Sequence, residues 1–556
     1  MKFFKNRTIA FLLILIAVSI PVILPYFHDG FFPTHDGEWA VVRLSDMYRE
    51  VKDGQIPPRF SGNLNFGYGY PLFQYAYPLP YYLGLPPFLL HFGLVNSIKL
   101  LFALSVPLSG VAMFFAAREI WKNDNAGIIS GLLYIYFPYR MVDLYVRGSL
   151  GESLASVFFP IILLCIKRLS QRQSMSYLLI LSISMAALIL SHNIMAVLFG
   201  IIIFIYLIYL FWSQKRINTF QILIGIFLGL GISAFFWLPA ILEKNLILLS
   251  KIPIADRSLY YVSLSKFLFS PFGYGTPTEN SPFTYQIGVP QITIGIVACF
   301  LVIKSIIRRT KIEPEIIIFS GLSLFFVFMM LPMSSFIWEQ TPLLKEINFP
   351  WTSLLPLGFI LSLLGGKIFA KSKQYFIIGI FICLFAIVLT LPFARPESYV
   401  NRGDGFYFTN DATTTSSSEL MPLTVKSFPS SRPEKKVEII DGDGRVLMIS
   451  DKSQKKEFSV SLTTPSEVRL NTIYFPGWHW YRDAKELPIT FNNAHGLMEA
   501  KLPQGDYMVK AIFQNTPVRL ISDIISVLFI CFVLLAFFVR VLKEYSLESI
   551  TKRYLL

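Results

Sequence analysis

The sequence predicts a mainly α, polytopic membrane protein with about 12 transmembrane helices and a small extracytoplasmic β-sandwich before the last helix. Three observations lead there. Of 556 residues, 54% are hydrophobic and only 15% are charged, against about 25% charge in soluble globular chains. Apolar runs of about 20 residues recur, each long enough to cross a hydrocarbon core of roughly 30 Å. One late stretch alternates polar and apolar residues as strands do. Backbone groups inside a bilayer must pair with each other, so the apolar runs are expected to be helices.

Residues 1–26 start with Lys2, Lys5 and Arg7 and continue as an apolar run from Ile9 to Tyr26. That run exceeds the roughly 7–15 residues of a signal-peptide core, and no small-x-small site follows. It reads as an uncleaved first helix. Further spans are expected at 97–117, 126–143, 151–169, 176–190, 194–212, 219–242, 288–307, 313–333, 350–370, 374–393 and 519–542. The apolar stretch 78–94 carries Pro78, Pro80, Pro86 and Pro87, which break helix hydrogen bonding. It reads as an interfacial or re-entrant segment held at the surface by Tyr81 and Tyr82. The expected units are a transmembrane module at 1–393 with an outer loop at 27–96, an outer domain at 394–518, and a final helix with its tail at 519–556. Within the outer domain, 412–418 is a Ser/Thr-rich linker. Strands are expected after 436, with a turn at Asp441-Gly442-Asp443-Gly444.

The net charge of +14 is not spread evenly. It gathers at Arg118 and Lys122, at Lys167, Arg168 and Arg172, at Lys215 and Arg216, at Lys304, Arg308, Arg309 and Lys311, at Lys371 and Lys373, and at Arg540, Lys543, Lys552 and Arg553. With 12 spans every cluster falls on the cytoplasmic side with both termini, as positive-inside charge requires. No basic, aromatic-interleaved soluble patch exists, which argues against a nucleic-acid partner. The four cysteines, Cys165, Cys299, Cys383 and Cys531, sit in apolar runs without disulfide or metal spacing.

Chemistry is expected where polar groups meet the outer ends of the spans. Asp36 and Glu38 open the first outer loop. Two residues apart, they share a face on an extended segment, and Gly37 permits unusual angles between them. Close carboxylates divide labour: one is a general base, the other a metal ligand or a group that raises its neighbour's pKa. A plainer account makes His35 and Asp36 caps of a helix starting near Trp39. Arg43 follows two turns along the same candidate helix, and Arg59 lies in the Gly-, Pro- and aromatic-rich loop 53–73, suited to a sugar or a prenyl chain. Arg140, Arg147, Glu152 and His192 cluster at later span ends, where ionisable groups are functional candidates. Arg147 suits a bidentate phosphate contact, or it pairs with Asp143. Glu152 suits a helix N-terminus, and His192 a turn.

These pieces resemble the C-type glycosyltransferase superfamily (GT-C), in which an acidic motif lies in the first outer loop. More closely, the chain is similar to bacterial membrane proteins called 6-pyruvoyl-tetrahydropterin synthase-related. The matching stretches are HDGEWAVVR (35–43), GQIPPRFSGNLNFGYGYPLFQYAYPLPYYLG (54–84), RGSLGESLA (147–155), LSHNIMAV (190–197), FFWLPAILE (235–243) and FPWTSLLPL (349–357). YFPGWHWYRD (474–483) and LPQGDYMV (502–509) resemble YfhO-like proteins. The resemblance implies a bacterial plasma-membrane glycosyltransferase with its active site on the outer face. The donor would be a polyprenyl-phosphate sugar and the acceptor an extracytoplasmic glycan, lipid or protein. Asp36 would be the base and Glu38 the second carboxylate. Arg147, then Arg59, would meet the donor phosphate, with His35, Arg43, Arg140, Glu152 and His192 as further substrate contacts. A divalent cation (Mg or Mn) on Asp36 and Glu38 is the candidate cofactor. The alternatives are a non-catalytic scaffold and a transporter of lipid-linked glycan. A transporter calls for paired half-helices, which the sequence does not suggest.

The topology is testable. Single cysteines engineered at Asn63 and at Thr310 should label from opposite sides of the membrane; labelling from one side overturns the arrangement.

Overall fold

The computed structural model describes residues 2–213, 219–278 and 281–554, leaving aside the side chains of 2–6 and 543–554. Lys215 and Arg216 lie outside the described residues, as do the side chains of Lys2, Lys5, Lys543, Lys552 and Arg553. The chain is mainly helical, with a β-rich unit late in the sequence. Among the described residues, eight helices are long and apolar enough to cross a membrane, or ten if each of two bent pairs is one span.

The difference from 12 has local causes. The run 126–143 is helical only over Asp124–Ile135. Pro138 then opens a separate short turn of helix, Pro138–Val142. Met175–Ser191 is helical but short, at 17 residues. The helix Thr219–Ile232 bends by 71° into Ala234–Leu242, and Pro314–Met329 bends by 97° into Pro332–Gln340. At the first bend the Ser233 hydroxyl donates to the Gly229 and Leu230 carbonyls. At the second, Pro332 cannot continue the ladder. Residues 78–94 form no straight span: a nine-residue helix, Leu79–Pro87, leads into a kink with His91 at φ +66°. Tyr81 is no surface anchor, because it is 1% exposed and its hydroxyl accepts from Arg43 at 3.4 Å.

One end of the bundle collects the basic clusters. Arg168 pairs with Glu119 at 2.5 Å and Lys167 with Glu315 at 2.9 Å, while Lys122 also meets Glu119 and Lys367 meets Glu313. Glu152 lies on the same helix as Lys167, Leu150–Gln171, about 22 Å away at about 1.5 Å per residue. The two sets of polar groups therefore occupy opposite ends of the bundle.

The β-rich unit has eight strands: β1 Val437–Asp441, β2 Gly444–Asp451, β3 Lys455–Leu462, β4 Ser466–Ile473, β5 Trp478–Arg482, β6 Lys485–Leu487, β7 Leu497–Leu502 and β8 Gly505–Phe513. They form two antiparallel sheets, β1-β4-β7 and β2-β3-β8-β5-β6. Val460, Val468, Leu470, Met498 and Val509, from both sheets, are at most 2% exposed. The Asp441–Gly444 turn steps from one sheet to the other rather than closing a hairpin, with Gly442 at φ +93°.

The segment before β1 lies along the loop helix Gly37–Asp53. Val400 and Phe31 exchange backbone bonds of 2.7 and 2.9 Å. Asp404 accepts the Leu94 amide with both oxygens at 3.0 Å, capping the helix Leu94–Trp121. Arg49 donates to the Phe408 carbonyl at 2.5 Å. A second tie gathers the first loop, the bent helix and the last helix, Pro517–Tyr554. Arg59 pairs with Asp523 at 2.5 Å and Arg519 with Glu243 at 2.8 Å, while Gln74 donates to Glu243 at 3.0 Å.

Trp478 is buried edge-on against Phe60 of the first loop, with ring centroids 5.5 Å apart, and packs on Phe513. Trp480 packs on Phe458 inside the sandwich. Both therefore pack, and neither offers a ring to a sugar. Trp478→Ala should cost about 3–5 kcal/mol of stability, seen as a lower unfolding temperature of the full chain in detergent.

Candidate functional site

Residues 35–36 lie against residues 146–147 as a short backbone ladder. The His35 amide donates to the Val146 carbonyl at 3.0 Å and the Asp36 amide to the Arg147 carbonyl at 2.8 Å. The loop helix starts at once: Asp36 is its N-cap residue, and the Gly37 amide is taken by the Thr34 hydroxyl at 2.9 Å rather than by Asp36. The Asp36 carboxylate is thereby left free of capping. Gly148 makes the approach possible, since it sits at φ +62° and a Cβ there would meet Thr34 Oγ1 at 2.2 Å. No L side chain fits that backbone and that gap.

Arg147 is the centre of the site. Its Nη1 donates to Glu152 Oε1 and to the Tyr139 hydroxyl at 3.1 Å. The guanidinium lies over the Trp351 ring, 4.7 Å from its centroid. Tyr139 in turn donates to Glu152 Oε2 at 2.8 Å. His192 Nδ1 accepts the Met195 amide at 3.2 Å. That bond assigns the hydrogen to Nε2, which lies 3.8 Å from Glu152. Among the described residues Arg147 Nη2 makes no hydrogen bond, and it stands 3.6 Å from Asp36 Oδ2. The Glu152 side chain is 1% exposed, that of Arg147 11%, and that of Asp36 35%. The site thus runs from a buried anchor to a solvent-facing carboxylate.

His35 lies beside this row, its ring parallel to Phe283 with centroids 6.3 Å apart. Burial lowers its pKa below the ordinary histidine value, Arg147 lowers it further, and Asp36 opposes both. The Tyr274 and Gly275 backbone faces the ring and also opposes the lowering.

The structure separates several residues that the sequence grouped. Glu38 lies in the first helical turn and pairs with Arg402 at 2.7 Å and the Tyr407 hydroxyl at 3.4 Å. Positions two apart diverge on a helix, so Asp36 and Glu38 do not form a carboxylate pair. Each meets its own arginine, and no group of three His, Cys, Asp or Glu able to hold a metal occurs among the described residues. The pair does not fit a divalent cation. Arg43 is held by Thr414 Oγ1 at 3.0 Å. Arg59 is engaged by Asp523, Gln74 at 3.0 Å and the Phe235 carbonyl at 3.1 Å, leaving its guanidinium no phosphate to meet. Arg140 is buried among Ser156, Ser109 and the Tyr134 ring, away from Asp36. Arg147 pairs with Glu152 and not with Asp143, whose Oδ2 accepts from Ser153 at 2.6 Å. Sequence reasoning assigned no role to Trp351, Tyr139, Arg402 or Tyr407. Trp351 stands in FPWTSLLPL just before an apolar run, where an interfacial aromatic looks ordinary.

A profile described as 6-pyruvoyl-tetrahydropterin synthase related domain, membrane protein, matches residues 73–395. The chain belongs to this family. The matched part of this family member holds Arg147, Glu152, His192 and Trp351, while Asp36 precedes it. An uncharacterized protein of Lactococcus lactis subsp. cremoris (strain MG1363) is 25% identical over 350 residues, which are 59% of this chain and 55% of that one. The chain thus spans about half the length of the curated relative it matches. Among solved structures, the apo oligosaccharyltransferase of Archaeoglobus fulgidus matches with a TM-score of 0.44 at 15% identity, over 77% of this chain and 62% of that one. The arabinofuranosyltransferase AftD from Mycobacteria matches with a TM-score of 0.43 at 16% identity, over 69% and 26%. Identities and scores of this size transfer no residue role.

Glu152→Gln should leave Arg147 without its buried counter-charge and cost about 3–5 kcal/mol of stability. Asp36→Asn removes a half-exposed, solvent-screened partner and should change stability by at most about 1 kcal/mol. Thermal unfolding of the two variants in the same detergent measures the contrast.

Proposed function

We propose that this membrane protein is a glycosyltransferase that moves a sugar from a polyprenyl-phosphate donor to an extracytoplasmic acceptor. The observation that carries the reading is the divided state of Arg147. One guanidinium nitrogen is fixed by Glu152 and Tyr139, and the other, without a hydrogen bond among the described residues, stands beside the half-exposed Asp36. A cation anchored from behind and open in front suits an incoming phosphate, and a carboxylate beside it suits an incoming hydroxyl. The basic clusters at the opposite end of the bundle support an outer-face site.

In the proposed reaction Asp36 takes the proton of the acceptor hydroxyl. The acceptor oxygen bonds to the sugar C1 as the bond from C1 to the phosphate oxygen breaks. The polyprenyl phosphate leaves with that electron pair, and Arg147 Nη2 meets its charge. Preorganised groups of this kind stabilise developing charge without reorganising during the step. Glu152, Tyr139 and Trp351 hold Arg147 in place, and Glu38 and Arg402 fix the start of the loop helix.

The two bent helices are what a transporter would show. Neither bend presents an ionisable group to a substrate: the Ser233 hydroxyl turns back to its own helix, and Ser334 donates to the Met329 and Leu331 carbonyls.

Single-turnover transfer from a radiolabelled prenyl-phosphate sugar by lipid-reconstituted protein tests the reading. Asp36→Asn should lower the rate by about 10²–10⁴-fold. Arg147→Lys keeps the charge but loses the fork, and should mainly weaken donor binding. Undiminished transfer by Asp36→Asn removes Asp36 as base, and absence of transfer by the unmodified protein overturns the proposal.

A further inference from the structure

At the far end of the loop helix from Asp36, two carboxyl groups are buried without a counter-ion. Asp46 and Glu50 are one helical turn apart, on the same face, and each is 1% exposed. Among the described residues no lysine or arginine pairs with either. Glu50 accepts from the Gly62 amide at 3.0 Å and from Gln55 Nε2 at 2.7 Å. Among the described residues no donor reaches either Asp46 oxygen at full hydrogen-bond geometry, and the buried Ser61 hydroxyl is the one donor that faces it. A buried carboxylate with no donor is costly, and such a group takes up a proton instead.

The pair lies where the β-sandwich meets the loop helix. The turn between β2 and β3 sits on the C-terminal end of that helix. The Ser453 amide donates to Asp53 Oδ2 at 2.7 Å, Gln454 Nε2 to the Asp53 carbonyl at 2.6 Å, and Gln55 Nε2 to Ser453 Oγ at 3.3 Å. The Gln55 amide therefore bridges Glu50 to the sandwich directly. A cleft of about 290 Å³ opens beside the pair, lined in part by Arg49, Glu50, Asn63, Asp451 and Lys456. It gives Glu50 a route to solvent.

We propose that Asp46 and Glu50 form an electrostatically coupled carboxyl pair that makes the seating of the β-sandwich on the loop helix depend on pH. With one proton between them, the pair is compatible with the dry seam. When the second carboxylate ionises, two like charges face each other one turn apart, and the seam must open to hydrate them. The other groups around the pair do not cancel this. On the loop helix itself, Asp53 adds negative charge, while Arg49 donates to the Phe408 carbonyl and Lys52 lies over the Tyr48 ring. On the loop, the Tyr70 hydroxyl is engaged with Thr414 at 3.1 Å. On the sandwich, Lys456 pairs with Asp451, and Lys436 donates to the Gly67 and Asn471 carbonyls. On the other elements packed against the helix, Tyr81 faces Arg43, Lys99 donates to the His28 and Gly30 carbonyls, Asp404 caps Leu94, and Tyr407 meets Glu38.

The electrostatics agree in direction. Burial pushes the Asp46 carboxyl up to about 6; Ser61 and Arg49 pull it down, and Asp53 adds to the rise. Burial first, and the Asp46 charge next, raise Glu50 well above the ordinary carboxylate range. Acids with raised pKa values in the seated state bind more protons there, so seating is favoured at low pH. Loss of the Asp46 proton at about 6 leaves Glu50 neutral, and seating weakens at higher pH, as Glu50, raised well above the ordinary carboxylate range, ionises in turn.

The test uses the full chain in lipid nanodiscs, its native cysteines replaced, with spin labels on Lys251→Cys and Lys485→Cys. The expected result is one narrow distance distribution at pH 5.5 that broadens as the pH is raised stepwise to 9.5. Asp46→Asn, or Glu50→Gln should the first variant not fold, removes one ionisable proton and should keep the narrow distribution across the series. An unchanged distribution in the unmodified chain up to pH 9.5, or broadening in the variants equal to the parent's, overturns the proposal.

Discussion

A guanidinium buried in an apolar bundle is costly without a counter-charge, and Arg147 is arranged around that demand. Glu152 supplies the charge, Tyr139 donates to the second oxygen of that carboxylate, and Trp351 offers a ring face to the cation. The desolvation of such a pair consumes most of its Coulomb gain, so it adds little net stability. Its effect is on geometry. Residues from four segments distant in sequence are drawn to one point, and the strand-like contact of 35–36 with 146–147 places Asp36 at the rim of the same cluster.

The same constraint recurs at the seam of the first loop, the bent helix and the last helix. Arg519 is fully buried and answered by Glu243, while Arg59 is answered by Asp523. These two pairs account for basic residues that would otherwise invite a phosphate. The arginines near the site are spent on the protein's own carboxylates, hydroxyls and carbonyls, and of the two proposed for the donor phosphate, Arg147 and Arg59, only Arg147 keeps an edge toward a half-exposed carboxylate.

Much of this was legible in the sequence. Apolar runs, basic clusters and the alternating pattern after 436 located the helices and the sandwich, because burial in lipid and in a sheet leaves a periodic trace. Asp36, Arg147, Glu152 and His192 stood out as polar groups at span ends, and they converge. The pairing of Asp36 with Glu38 failed because one residue decides it: the helix begins at Gly37, which turns an extended spacing into a divergent one. Arg59 and Arg43 were misjudged because their partners, Asp523 and Thr414, lie hundreds of residues away. Trp351 stood inside a family-matching stretch, FPWTSLLPL, but drew no role, since an aromatic residue at the end of an apolar run has an ordinary explanation.

The capping of Leu94 by Asp404 has a consequence for biogenesis. The two residues are 310 positions apart. A ribosome adding roughly 5–20 residues per second makes the cap some 15–60 s after the amides it covers. For that interval the helix Leu94–Trp121 exists without its N-terminal partner, and Phe31 without Val400. The first loop therefore cannot reach its final shape as it emerges. It must remain open and protease-accessible until the last third of the chain has been delivered, so assembly of the site is a late event that a chain stalled before residue 400 never reaches.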